Sequence, residues 1–289
     1  MPFSLFLSWL SAYAGTLQLS VLDVGQGDAV LIESPDGKTA LIDAGPKGAS
    51  VSSQLRAHEI DELHLVIATH AHADHIGGML EVIQAYPPRL YVDQGMAHTS
   101  ATYETLMAHV ESTGQAYRTA RAGQSFNLGR EVFIEVLHPQ DALLRNTRSD
   151  LNSNSVVLRI THDDICILLV GDAEDDTEQT LLRKGIDSCQ VLKVAHHGSG
   201  YSTSAAWLRA VQPEISVISA SARNRYGHPD PDTLARLTSS GSKIYRTDLD
   251  GEVRILSDGK TVSVETSPRA EPAPEVATAT SHSTAHSTS

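Results

Sequence analysis

The chain has 289 residues, 40% hydrophobic and 20% charged, enough to bury a substantial core and near the upper end of the range for one domain. Its 22 Lys and Arg against 35 Asp and Glu leave a net charge of −13. Nonspecific binding to nucleic acid draws its strength from Lys and Arg displacing counterions, so this balance argues against a tight nucleic-acid binder; it weighs less against an enzyme whose bound cations provide local positive charge.

In chain order, residues 1–15 form an apolar stub. Pro2 to Ala14 falls short of the about 20 residues that a membrane helix needs. Ala12-Tyr13-Ala14 has the small-residue form of a signal-peptidase site, yet no Lys or Arg precedes it as a charged leader. A single domain is expected over residues 16–266. Leu17 to Leu22, Ala29 to Glu33 and Thr39 to Ile42 read as a meander of short strands separated by GQG and PDG turns. Val51 to His58 reads as a helix, Leu63 to Ala68 as a buried strand, Gly77 to Ala85 as a helix, Arg89 to Val92 as a strand and Tyr103 to Ser112 as a helix. The second half repeats the alternation. Glu131 to Leu137, Ser155 to Ile160, Ile165 to Val170, Gln190 to Val194 and Glu214 to Ser219 read as strands, with helices near Asp175 to Arg183, Ala205 to Val211 and Pro231 to Ser239. Asp230 before Pro231 is a good cap and first-turn pair. Lys243 to Arg246, Val253 to Leu256 and Val262 to Val264 are the last strands. Residues 267–289, rich in Ser, Thr, Ala and Pro, read as a disordered tail in which His282 and His286 are not expected to bind metal. Cys166 and Cys189 sit in apolar runs without CxxC spacing and read as small buried thiols that say little about compartment.

The chemistry is concentrated at strand ends. Thr69 to His75 reads THAHADH, placing His70, His72, Asp74 and His75 directly after an apolar strand. Imidazole and carboxylate suit zinc or a first-row neighbour. Alternate residues leaving a strand point the same way, so His70 and His72 are matched to one ion, with Asp74 and His75 facing a second. Asp172 ends the run Ile165 to Val170, with Gly171 allowing close backbone approach, and a carboxylate there can bridge two ions. The strand Cys189 to Ala195 runs into His196, His197, Gly198 and Ser199. By itself Asp172 also reads as a cap for the helix beginning near Glu174.

HxHxDH, a lone Asp after an apolar strand and a late His resemble the metallo-β-lactamase superfamily of binuclear hydrolases. LDVGQGDAVLI at Leu22 to Ile32, LIDAG at Leu41 to Gly45, NSNSVVLRI at Asn152 to Ile160, KVAHHGS at Lys193 to Ser199 and RYGHPDPDTLARL at Arg225 to Leu237 are more narrowly similar to the soluble hydrolase domain of ComEC-type competence proteins. This resemblance covers about Leu17 to Glu265. It implies an α+β fold of four αββα layers, where periodicity alone specifies only mixed α and β. It also implies two divalent metal ions, zinc or manganese, and no organic cofactor.

The resemblance bears on individual residues as well. Antibiotic-hydrolysing relatives place a third His before the bridging Asp; here the region reads SDLNSNS, offering Asp150, Asn152 and Asn154. The first ion is then held by His70, His72 and Asp172 with water or a weak oxygen ligand, and Asn152 and Asn154 are either turn residues or weak participants. His196, which ends its strand, is the expected ligand, with His197 in a supporting or acid role. His228, in a Gly/Pro loop, is expected to donate to a phosphoryl oxygen or protonate the leaving group. Ser199 is expected to hydrogen-bond within its turn or to substrate, and Asp74 to orient the nucleophile while ligating. Asp28 and Asp43 are expected to fix loops and hydrogen-bond to the ligands.

The implied activity is metal-assisted hydrolysis of a phosphodiester, with single-stranded or nicked DNA first in line, as in degradation of the strand that is not taken up during transformation. The resemblance adds to the signal-like reading of the stub a second one, the end of a membrane helix; either implies a place outside the cytoplasm, where a membrane channel is a candidate partner. A small-molecule hydrolase acting on a phosphocholine-type ester, lactone or β-lactam, and a non-catalytic metal-bound module, are the alternatives.

Overall fold

Apolar runs of three to six residues, cut by Gly, Pro and Asp turns, become the strands of two sheets. The structure, a computed structural model, describes residues 15–267. The stub up to residue 14 and the tail from residue 268, with His282 and His286, lie outside the described residues. The first half runs β1 (Leu17–Val21), β2 (Val30–Glu33), β3 (Thr39–Ile42), α1 (Val51–Ala57), β4 (Leu65–Ile67), α2 (Ala73–Ile76), α3 (Met79–Ala85), β5 (Leu90–Asp93), α4 (Ala101–Thr113) and β6 (Tyr117–Thr119). The second runs β7 (Ser125–Leu128), β8 (Val132–His138), α5 (Asp150–Ser153), β9 (Val157–His162), β10 (Ile165–Leu169), α6 (Asp175–Lys184), β11 (Val191–Lys193), α7 (Ala205–Val211), β12 (Ile215–Ile218), α8 (Pro231–Ser239), β13 (Lys243–Arg246), α9 (Thr247–Asp250), β14 (Glu252–Ser257) and β15 (Val262–Ser267).

One sheet has the order β15-β14-β1-β2-β3-β4-β5-β6 and the other β13-β12-β11-β10-β9-β8-β7. Strands β3 to β6 are parallel in the first, and β10 to β13 in the second. Leu19, Ile32, Ile67, Ile134, Ile160 and Ile167 meet in the core between the sheets. A second core, with Leu41, Leu55, Val82 and Leu106, lies under α1, α3 and α4; a third, with Leu168, Leu181, Trp207 and Leu237, lies under α6, α7 and α8. This is the four-layer αββα arrangement of an α+β domain.

Three features differ from the sequence expectations. Edge strands β6 and β7 are short and largely exposed, so they lack the apolar run that marks a buried strand. The helix expected from Gly77 starts at Met79, because Gly78 N–H donates to Gly45 O (3.1 Å) while Asp74 O accepts Asp28 N–H (3.2 Å), which takes both groups out of helical pairing. Cys166 and Cys189 are joined as a disulfide across a sequence separation of 23, with Cα atoms 4.7 Å apart, and are not two thiols. Parallel pairing of Ile167 with Val191 sets the two strand starts side by side, an adjacency that sequence distance hides.

Candidate metal centre

The candidate site lies where parallel strands of both sheets end, the usual place for ligands in α/β layers. His70 follows β4, His72 is the extended residue before α2, and Asp74 and His75 stand on α2 itself. The interrupted helix therefore splits the motif into two pairs. His70 Nε2 and His72 Nδ1 converge to 3.0 Å. His75 Nε2 lies 3.2 Å from Asp172 Oδ1, and His70 Nε2 lies 3.8 Å from Asp172 Oδ2, so the Asp172 carboxylate faces both pairs. Asp172 sits three residues past the end of β10. The preceding Gly171 has φ +52°, and a Cβ there would fall 2.9 Å from the Thr69 Cβ, so only glycine lets the two sheets close at this point.

The second imidazole pair is sorted by depth. His196 and His197 both adopt left-handed backbone conformations in the short 3-10 turn Ala195–Gly198, a strained state that non-glycine residues keep only where their surroundings enforce it. That turn buries His197 and leaves His196 partly exposed. His197 Nε2 lies 3.4 Å from Asp74 Oδ2 and 3.7 Å from Asp172 Oδ1. Ligand atoms of Asp74, His75, Asp172 and His197 all fall within 4.8 Å of one another. His196, the residue favoured from sequence, faces Asp172 Oδ2 at 3.6 Å and Glu174 Oε1 at 3.5 Å. A strand ending in two histidines does not reveal which one its turn carries inward.

Carboxylates support this cluster from behind. Asp43 accepts from Thr69 N–H and Thr69 Oγ1 (2.7 Å each) and meets His75 Nδ1 at 2.7 Å. His197 Nδ1 donates to Ser219 O (3.0 Å) and lies 3.4 Å from Asp28 Oδ1, while Lys193 Nζ donates to Asp28 Oδ2 (2.7 Å). Partners of this kind orient an imidazole so that its other nitrogen faces the centre.

The remaining candidates divide. Asn152 lines the cleft and donates to Glu174 Oε1 (3.3 Å), whereas Asn154 spends its side chain on Leu144 and on Asp150 O, fastening the loop away from the centre. Ser199 is buried and its hydroxyl accepts Tyr201 N–H (3.3 Å), a bond within the turn. His138 donates to Ser153 O (3.0 Å) inside the core. His228 lines the cleft with its ring 5.4 Å from that of His196. Sequence reasoning missed three residues. Glu174, read only as a helix start, is a buried partner of His196; Gln26 of the DVGQGD motif lines the cleft; Lys193 is the buried cation that holds Asp28.

Burial opposes charge at Asp172, yet the imidazoles of His75, His196 and His197 hold its carboxyl well below the usual range. Burial likewise opposes charge at His75 and His197, but Asp172 with Asp43 raises the first well above its ordinary value, and Asp172 with Asp28 brings the second up to about 9. Burial lowers His70 and His72 and keeps them neutral. Burial and the imidazoles of His196 and His197 push His228 down to about 4. A neutral His228 offers a hydrogen bond at physiological pH.

These groups surround a cleft of ≈ 330 Å³ lined by Gln26, His72, Asn152, His197, Tyr226 and His228, among others. A larger groove of ≈ 930 Å³ between α7 and α8 contains none of the histidines or Asp172, so size alone does not locate the chemistry. Nε2 of His75, Nε2 of His197 and Oδ1 of Asp172 are buried and make no hydrogen bond. Buried polar atoms are rarely left so. Convergent orphaned nitrogens, each on a ring backed by an orienting partner, and an orphaned carboxylate oxygen are the donor set a divalent cation takes.

The sequence model of the metallo-β-lactamase superfamily matches residues 22–222. The chain belongs to this superfamily. Its members are generally metal-dependent hydrolases. The chain is 32% identical over 247 residues to recombination protein 2 of Haemophilus influenzae, a match covering 83% of this chain and 29% of that protein. It is 29% identical over 242 residues to competence protein ComA of Neisseria gonorrhoeae, covering 82% of this chain and 32% of that protein. The chain thus spans about a third or less of the length of these curated relatives. Among solved structures it resembles Igni18, a metallo hydrolase from Ignicoccus hospitalis, with a TM-score of 0.55 at 17% identity over 83% of this chain and 98% of that one, a likeness of fold.

Proposed function

We propose that this domain is a binuclear metal-dependent phosphodiesterase acting on DNA. The observation that carries the reading is the Asp172 carboxylate, which faces the His70/His72 pair through one oxygen and the Asp74/His75/His197 group through the other. In this reading His70, His72 and Asp172, with Asn152 beside them, hold one zinc or manganese ion, and Asp74, His75, His197 and Asp172 hold a second. Bound divalent ions lower the pKa of a water and stabilise negative charge developing on a phosphoryl group. The side chains do the rest. Asp74, less buried than His75, Asp172 and His197, accepts a hydrogen bond from an O–H on the cleft side. Neutral His228 donates a hydrogen bond to a phosphoryl oxygen, and Glu174 holds His196 at the cleft mouth.

The relatives' names, competence and recombination proteins, support DNA as the material handled. The disulfide supports an oxidising compartment outside the cytoplasm, and a membrane channel as partner belongs to the same reading. The −13 charge favours a second reading, a small phosphoester substrate. The test is cleavage of end-labelled single-stranded DNA and of bis-p-nitrophenyl phosphate with and without manganese or zinc, beside Asp172→Ala. Cutting of both that needs metal and disappears in the variant is expected. Diester turnover with DNA untouched selects the small substrate; silence on both with metal bound ends the phosphodiesterase reading.

A further inference from the structure

Large apolar side chains are seldom left in solvent, and two of the few exposed among the described residues belong to the cleft's surroundings. Tyr226, 54% exposed, lines the cleft. Tyr201, 56% exposed, lies under Arg148, whose Cζ is 3.5 Å from the ring centroid and whose Nε lies 3.7 Å from Glu174 Oε2, the carboxylate that also meets His196. Each tyrosine therefore has an arginine attached to it. Arg225 Nη2 donates to Tyr226 Oη at 2.9 Å, and both arginines are solvent-exposed.

Neither ring is placed by a loose loop. Asn224 makes four hydrogen bonds inside its own loop: Nδ2 donates to Ser221 O (2.8 Å) and His228 O (2.6 Å), and Oδ1 accepts from Tyr226 N–H (3.2 Å) and His228 N–H (3.0 Å). Ser199 Oγ accepts the Tyr201 N–H. The same local bonds thus hold a cleft histidine and an exposed ring together.

Exposed rings, each with one arginine over it, on a chain of net charge −13, suit a ligand that alternates aromatic faces with negative charges. A single nucleic-acid strand has that pattern, whereas in a duplex the base faces are covered by their neighbours. We propose that Tyr226 and Tyr201 are stacking platforms for bases flanking the scissile phosphate of a single strand, with Arg225 and Arg148 meeting the adjacent phosphates. The proposal rests on the phosphodiesterase reading and adds to it a preference for unpaired, base-bearing substrate. Affinity here comes from rings and a few local cations, so an overall acidic protein can select a strand that its net charge repels.

The test compares a 5′-labelled oligothymidylate with an equally long and equally labelled abasic strand, which keeps the phosphates and removes the bases. Binding of the full chain is read by fluorescence anisotropy in chelator, and cleavage is read separately with manganese. The base-bearing strand is expected to bind about tenfold more tightly than the abasic strand, with the preference falling to near unity in Tyr226→Leu, shrinking in Tyr201→Leu and persisting in Tyr226→Phe. Equal binding of both strands by the natural protein, or a preference unchanged in a folded Tyr226→Leu, overturns the platforms even when both strands are cut. A tyrosine-dependent preference with neither strand cut by manganese- or zinc-loaded protein leaves the platforms standing and removes the phosphodiesterase reading.

Discussion

Asp43 Oδ2 and His75 Nδ1 meet at 2.7 Å in full burial, which turns the opposite nitrogen of His75 toward Asp172. Asp43 is 32 residues from His75 in sequence and has no place in the HxHxDH motif, yet it determines which nitrogen the motif presents.

Asp43→Asn is expected to weaken zinc or manganese binding by about ten- to a hundredfold while leaving the fold intact, since the amide keeps only one of the two accepting oxygens and none of the charge that orients the imidazole. Calorimetric metal titration of the stripped protein measures this, and far-UV circular dichroism checks the fold. Unchanged affinity would mean that His75 is oriented without Asp43.

Lys193 and Asp28 form a buried pair at 2.7 Å that joins β11 to the turn after β1 and backs His197. Lys193→Met leaves the Asp28 charge without its cation, and a loss of about 3 kcal/mol in stability is expected. The double variant with Asp28→Leu should recover part of that loss, because both charges are then gone. Urea unfolding of the two single variants and the double variant measures the coupling; additive losses would show that the pair acts as two independent residues.

Burial pushes His138 down from its ordinary 6.5 to about 4, against the bond it donates to Ser153 O. The unfolded chain therefore takes up the proton first as pH falls. The stabilising contribution is complete above pH 6.5, declines as pH drops towards about 4, and amounts to at most about 3 kcal/mol across that window. His138→Gln should flatten the pH dependence of unfolding free energy by that amount; a curve parallel to the natural protein's would place the proton uptake elsewhere.

The alternation of apolar runs with Gly- and Asp-rich strand ends was legible from sequence, and so were most of the strands that make the core between the sheets. Edge strands β6 and β7 were not, because a strand paired on one side and open to water needs no apolar pattern. Nor was the break between α2 and α3, which depends on bonds to Gly45 and Asp28, residues far away in sequence.

Sequence by itself determined the ligand types and their grouping at strand ends, because metal-binding atoms belong to side chains and HxHxDH compresses four of them into one turn and its approach. Tertiary structure decided which of them converge. It directed His197 inward and left His196 at the mouth, withdrew Asn154 and Ser199 into local bonds, and brought Asp28, Asp43, Lys193 and Glu174 up behind the imidazoles. It also returned β14 and β15 to the first sheet beside β1, a strand more than two hundred residues earlier in the chain. The physical reason is the same in each case. A side chain's chemistry is local, but its direction and its neighbours follow from sheet packing and backbone hydrogen bonds made between residues far apart in the chain.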